Sequence, residues 1–278
     1  MGNSTNVPMD QRVRVWLRLV PLLLAHLTID HVALLSHSSG AIYLLNALYH
    51  CRGILHPERP YAALLAPWVD PAHSRVTSMQ LAQLAPVKVF NVWHQIPRFF
   101  LLKAGPVLAS SGAMVTKIQG SASRHGQDRA SSSQVDRTRR RIEWDYGLAR
   151  DMQVELETLI FRFLFEESTV GANAEALQCL RKGPPGTWGV CDDYAQFVTE
   201  LAGREWSAGR RARLKVQAYF AENDSMIGKK GQGYMEECWR GQDAVDFEAK
   251  TIPGVDHDSL SQCTEILERV FLEARARV

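Results

Sequence analysis

The feature that most constrains the fold is a short apolar run, His31-Val32-Ala33-Leu34-Leu35, that ends in Ser36-His37-Ser38-Ser39-Gly40 and turns at once into a helical pattern over 41–51. Apolar residues at both odd and even positions from Val32 to Leu35 fit a strand buried on both faces, which parallel sheets require. The following stretch repeats Ile42, Leu45, Leu48 and Tyr49 at helical spacing. A second apolar run, Tyr61-Ala62-Ala63-Leu64-Leu65-Ala66, closes at Pro67. Strand, helix, strand in this order predicts a right-handed crossover unit and hence an α/β fold.

The sheet pattern resumes far downstream. Leu214-Lys215-Val216-Gln217-Ala218-Tyr219-Phe220 alternates as a strand and leads into Ala221-Glu222-Asn223-Asp224. A helix over 234–239, a strand over 245–252, a turn through Pro253-Gly254-Val255-Asp256-His257 and a closing helix over 259–275 follow. Between the halves, 71–209 has another character, with helix-like pieces at 79–90 and 152–165. Residues 120–141, rich in Ser, Arg, Gln and Asp, read as a mobile linker, and the run Arg137, Arg139, Arg140 and Arg141 as a solvated face. Phe90, Trp93, Phe99 and Phe100 read as packing within this region. The expected organisation is a core of 1–72 and 211–278 with a helical lid of 73–210. Ahead of the first strand, Asp10 is placed to cap a buried helix over 11–27, which Pro21 kinks or restarts.

With 46% hydrophobic and 22% charged residues, a chain of 278 can bury a sizeable core, which excludes a disordered tail or a small disulfide scaffold. The balance of 32 basic against 30 acidic side chains leaves +2, no basis for nucleic-acid binding. Five cysteines, odd in number and without a CxxC pair, argue against a disulfide framework and for a reducing, cytoplasmic setting. Neither they nor the histidines show metal-ligand spacing, so no metal or other cofactor is expected. The apolar stretch that begins at Leu19 lacks a cleavage site and is too short to span a membrane.

Ser36-His37-Ser38-Ser39-Gly40 has the form of a nucleophile elbow. A serine pushed out of a tight strand-to-helix turn needs small residues two before and two after it, or their side chains collide. Ala109-Ser110-Ser111-Gly112-Ala113 also fits, but only Ser38 follows a buried strand and opens an apolar-faced helix. The partners should follow in the order acid then histidine, each after a strand. Asp224, with Glu222 as its alternative, and His257 meet that condition. His257 would be the base, Asp224 its orienting carboxylate and the Ser39 N–H an oxyanion donor. His37 is expected to line the substrate pocket.

The elbow, the loop Glu222 to Gly228 and Gly254-Val255-Asp256-His257-Asp258 together resemble the α/β-hydrolase superfamily, in particular fungal esterase- and lipase-type members with a long lid. The resemblance covers roughly residues 11–68 and 213–278. It implies an acyl-enzyme on Ser38 and hydrolysis of an ester, thioester or related acyl bond of a small apolar molecule. The alternatives are a non-catalytic hydrolase-like scaffold, or transfer of the acyl group to another nucleophile. It also implies strands and a His-Gly oxyanion loop ahead of the elbow. Here the serine already stands at position 38 with no His-Gly before it. An incomplete sheet is therefore expected, its open edge covered by a second copy in a homodimer.

Overall fold

In a computed structural model, which describes residues 4–88, 90, 127–166, 170–209 and 212–277, the apolar runs form one parallel sheet. Its strands are β1 (Leu34–His37), β2 (Tyr61–Leu65), β3 (Leu214–Ala221) and β4 (Val245–Ile252), hydrogen-bonded in that order. β2 is apolar at every position because it is buried on both faces. Ala62 and Leu64 join Val216, Ala218 and Phe220 against Leu45 and Leu48, whereas Tyr61, Ala63 and Leu65 join Tyr219 against Leu260, Ile266 and Val270. Alternate side chains thus feed two cores, as the period of two dictates.

β1 departs from expectation. It begins at Leu34, later than the apolar run, and is an edge strand with Leu35 exposed, while Val32 makes only an isolated bridge to Leu55. An apolar run can arise at an edge as readily as at a centre, because neighbouring strands are chosen by topology and not by the run itself.

The first helix, α1 (Arg12–His26), runs through Pro21 without a break. Pro21 has no N–H to give the carbonyl of Leu17, and the thiol of Cys51 donates to that oxygen instead, at 3.6 Å. A 3₁₀ turn, Met9–Gln11, precedes the helix, whose N-cap Gln11 makes no side-chain cap bond, so Asp10 does not cap it. Nor is α1 buried: only Val13 is enclosed, while Leu19, Leu22 and Leu23 are exposed. By contrast α2 (Gly40–His50) buries Ile42, Leu44, Leu45 and Leu48.

Between β2 and β3 lie α3 (Pro71–Ser74), α4 (Thr77–Leu84), α5 (Gln127–Tyr146), α6 (Arg150–Glu166), α7 (Val170–Cys179) and α8 (Tyr194–Ser207). The linker expected over 120–141 is helical from Gln127 onward. Its arginines are held by ion pairs, Arg139 to Glu157 at 2.8 Å and Arg141 to Asp145 at 3.0 Å and Glu268 at 2.6 Å, and such pairs sustain a helix that is polar nearly all round. Phe90 is buried, while Trp93, Phe99, Phe100 and Ser111 lie outside the described residues. α8 sends Phe197, Val198 and Leu201 into the main core. Asn46, buried on α2, ties the preceding loop to the core. Its Nδ2 donates to the carbonyls of Ile42 and Trp188, both at 2.8 Å, and its Oδ1 accepts from the Val190 N–H at 3.1 Å.

After β3 come α9 (Gly228–Trp239), β4, a 3₁₀ turn (Ser259–Gln262) and α10 (Thr264–Arg275). Among the described residues no helix is long and apolar enough to cross a membrane. The register pairs His37 with Leu65, Leu65 with Tyr219, and Ala221 with Ile252. Every strand therefore ends at the same edge of the sheet, where open α/β sheets gather their ligand-binding loops.

Candidate active site

At the end of β1 the backbone of Ser38 takes φ +53°, the left-handed region that only a constrained turn imposes on a residue with a Cβ. The turn is held from below, since the Ser38 N–H donates to the carbonyl of Leu65 at 2.9 Å and the Ser38 carbonyl accepts from Trp68 N–H at 3.1 Å. The requirement for small neighbours is visible in space: a Cβ added to Gly40 would lie 3.3 Å from the Cβ of Ser36. The result is a half-buried serine hydroxyl presented at the start of α2.

The loop after β3 supplies the carboxylate. Asp224 Oδ1 accepts from the N–H groups of Met226 and Ile227, both at 2.8 Å, which leaves Oδ2 to accept from Nδ1 of His257 at 2.8 Å. Glu222, the alternative acid, accepts instead from the Gly254 N–H at 2.9 Å and clamps the turn that carries the histidine. Below that clamp the two loops are laced by Glu222 N–H to Ile252 and Asn223 N–H to Val255, each at 3.0 Å. On the other side of His257, Asp256 Oδ1 accepts from the N–H of Ser259 at 2.8 Å and from its Oγ at 2.6 Å.

His257 Nε2 lies 2.8 Å from Ser38 Oγ. With Nδ1 donating to a carboxylate, Nε2 carries the lone pair of the neutral ring and accepts from the serine hydroxyl. Burial alone would lower the pKa of this enclosed imidazole, only 4% exposed. The hydrogen bond and charge of Asp224, with the charges of Asp258 and Asp256, outweigh it and raise the pKa above the ordinary histidine value. The structure thus brings Ser38, His257 and Asp224 into one chain of hydrogen bonds. Ser39, next to Ser38 at the N-terminus of α2, has a backbone N–H with no acceptor among the described residues.

His37 occupies a position that its sequence context does not reveal. Its Nε2 donates to the backbone carbonyl of His257 at 2.8 Å, and the two rings stand 5.1 Å apart. Burial lowers its pKa, which keeps the ring neutral with the proton on Nε2. Glu175 is a second unforeseen neighbour, since from α7 its Oε1 accepts from Ser39 Oγ at 2.5 Å. No spacing rule links positions so far apart, so nothing in the sequence marks that contact. Among the described residues no cluster of His, Cys, Asp and Glu could hold a metal ion.

A parallel sheet with a serine elbow, an acid after the third strand and a histidine after the fourth has the order of the α/β-hydrolase fold. No family model and no curated protein matches the chain. Several solved structures are similar to it. A carboxylesterase of Nitrososphaera gargenis is 13% identical, over 99% of this chain and 74% of its own, with a TM-score of 0.48. Rv0554 of Mycobacterium tuberculosis is 12% identical over 99% and 75%, with a TM-score of 0.47. A thioesterase domain from the curacin biosynthetic pathway is 11% identical over 98% and 77%, with a TM-score of 0.44.

Proposed function

We propose that this chain is a serine hydrolase that cleaves an ester, thioester or related acyl bond of a small apolar molecule through an acyl-enzyme on Ser38. The observation that supports it most is the pair of 2.8 Å contacts, Ser38 Oγ to His257 Nε2 and His257 Nδ1 to Asp224 Oδ2, on a serine held at φ +53°. In this reading Ser38 Oγ attacks the acyl carbon while His257 Nε2 takes its proton. Asp224 stabilises the imidazolium, and the Ser39 N–H donates to the developing oxyanion. His257 then protonates the leaving group, and an incoming water, activated by the same ring, releases the acid. The helices between β2 and β3 would serve as the lid over the substrate.

The test is intact-mass analysis after treatment with a fluorophosphonate, beside Ser38→Ala and a heat-unfolded control. Stoichiometric labelling of the folded wild type alone supports the reading, and a folded chain that takes no label overturns it. The reading extends to the open edge of β1 and the exposed apolar face of α1, which a second copy of the chain would cover.

A further inference from the structure

We infer that Glu175 is a positioning residue for the peptide that donates to the oxyanion, a role that rests on the reading of Ser38 as nucleophile. The Ser38 carbonyl and the Ser39 N–H are opposite ends of one planar trans peptide, so whatever tilts one end re-aims the other. The carbonyl end accepts from the N–H groups of Trp68 at 3.1 Å and Ala41 at 3.0 Å, while the N–H end has no acceptor among the described residues. No side-chain cap closes the start of α2. The aim of the Ser39 N–H therefore depends on what holds residues 38, 39 and 68 in place.

One face of α7 holds two of them. Glu175, Gln178 and Cys179 are spaced three and four apart and so share a side of the helix. Glu175 Oε1 accepts from Ser39 Oγ at 2.5 Å, Gln178 Oε1 from the Tyr43 hydroxyl at 2.9 Å, and the Cys179 carbonyl from Trp68 Nε1 at 3.0 Å. The helix thus grips the peptide at both ends, directly on the Ser39 side chain and, through Trp68, on the Ser38 carbonyl. Of its side chains, Glu175 is the one bonded to the serine turn, and its bond has the length of a hydroxyl donating to a charged carboxylate. The Gln178 bond joins the same two helices one turn further from Ser38, so it belongs to the seam without touching the peptide.

The role uses the hydrogen bond and not the charge. A carboxylate at the N-terminus of α2 suits the helix dipole, yet its negative charge opposes an oxyanion forming there. An uncharged acceptor in the same place would therefore serve at least as well.

The experiment is the kinetics of fluorophosphonate labelling of the whole chain, read as a maximal rate and a half-saturating probe concentration. Glu175→Ala should lower the maximal rate about 10- to 100-fold with the half-saturating concentration nearly unchanged, the effect of a mis-aimed donor. Ser39→Ala, which cuts the same bond from its other end and keeps the backbone N–H, should lose as much, and the double variant no more than either. Glu175→Gln still accepts from Ser39 and should label at least as fast as the wild type, and Tyr43→Phe should label as the wild type does. The inference alone is overturned if the wild type labels and both folded alanine variants match it. It is overturned as well if Glu175→Gln is as slow as Ser39→Ala, or if Tyr43→Phe is slowed as much, since α7 would then act only by docking on α2. A folded wild type that takes no label overturns the proposed function and this inference together.

Discussion

Ser38 and His257 are joined by a contact whose chemistry depends on one proton. His257 serves as base only when neutral, and its pKa is raised above the ordinary 6.5, so the neutral form appears only as pH climbs past a midpoint above that value. The rate of fluorophosphonate labelling should therefore rise with pH through such a midpoint. In Asp224→Asn the burial remains while the charge is gone. The midpoint should move down, and the rate well above it should fall by about 10⁴-fold, the loss expected when a histidine is left in the wrong tautomer. A labelling rate flat from pH 5 to 9 would remove His257 from the role. His37 is predicted to act through His257 as a positioning residue: His37→Ala should lower kcat about 10- to 100-fold with KM nearly unchanged, the cost of a misplaced base. A rise in KM with kcat unchanged would instead put His37 on the substrate, as its place in the elbow suggests.

At the scale of elements, the loop over 186–192 is built around a glycine. Gly189 sits at φ +60°, and a Cβ there would run into the side chain of Asn46, which holds the loop to α2. Gly189→Ala should destabilise the chain by about 2–4 kcal/mol, combining left-handed strain with a clash against a buried amide. Gly53→Ala is the control, because Gly53 has open space and an ordinary φ, and it should change stability by less than about 0.5 kcal/mol. Equal denaturation midpoints for the two variants would refute this account. The helix period of α2 is readable from the sequence because it buries a face whose period is fixed by local geometry, whereas β3 alternates in sequence yet is buried on both faces from Val216 to Ala221. The helical state of 127–141 is not readable, since it rests on partners such as Glu157 and Glu268 that belong to α6 and α10.

For the molecule as a whole, the open boundary of the sheet is the main consequence. Among the described residues β1 is an edge strand, and beside it α1 exposes Trp16, Leu19, Leu22 and Leu23, with Leu27 exposed just past its end. Water-exposed apolar side chains of that number in one region mark an interaction surface, and an unpaired strand edge invites another chain. If a second copy covers this face, sedimentation should give twice the chain mass. Leu19→Glu together with Leu23→Glu should return the monomer without loss of helix. A single species at the monomer mass across micromolar concentrations would exclude the homodimer.

Much of this protein is local enough to be written in its sequence. The apolar run over 61–65 specifies β2, the alternation over 214–220 marks β3, and a small-residue turn between strand and helix marks Ser38. Residues just past later strands mark Asp224 and His257, because consecutive parallel strands must return their loops to one edge. Tertiary structure decides what depends on distance. It makes β1 an edge rather than a centre, hands the histidine to Asp224 while Glu222 clamps Gly254, and turns His37 toward the carbonyl of His257. Burial and charge at His257 come from residues on separate loops, and they combine only once the sheet has brought those loops together. The sequence names the parts because periodicity and sterics act between neighbours. Their pairing is fixed by packing, which acts between residues that only folding makes adjacent.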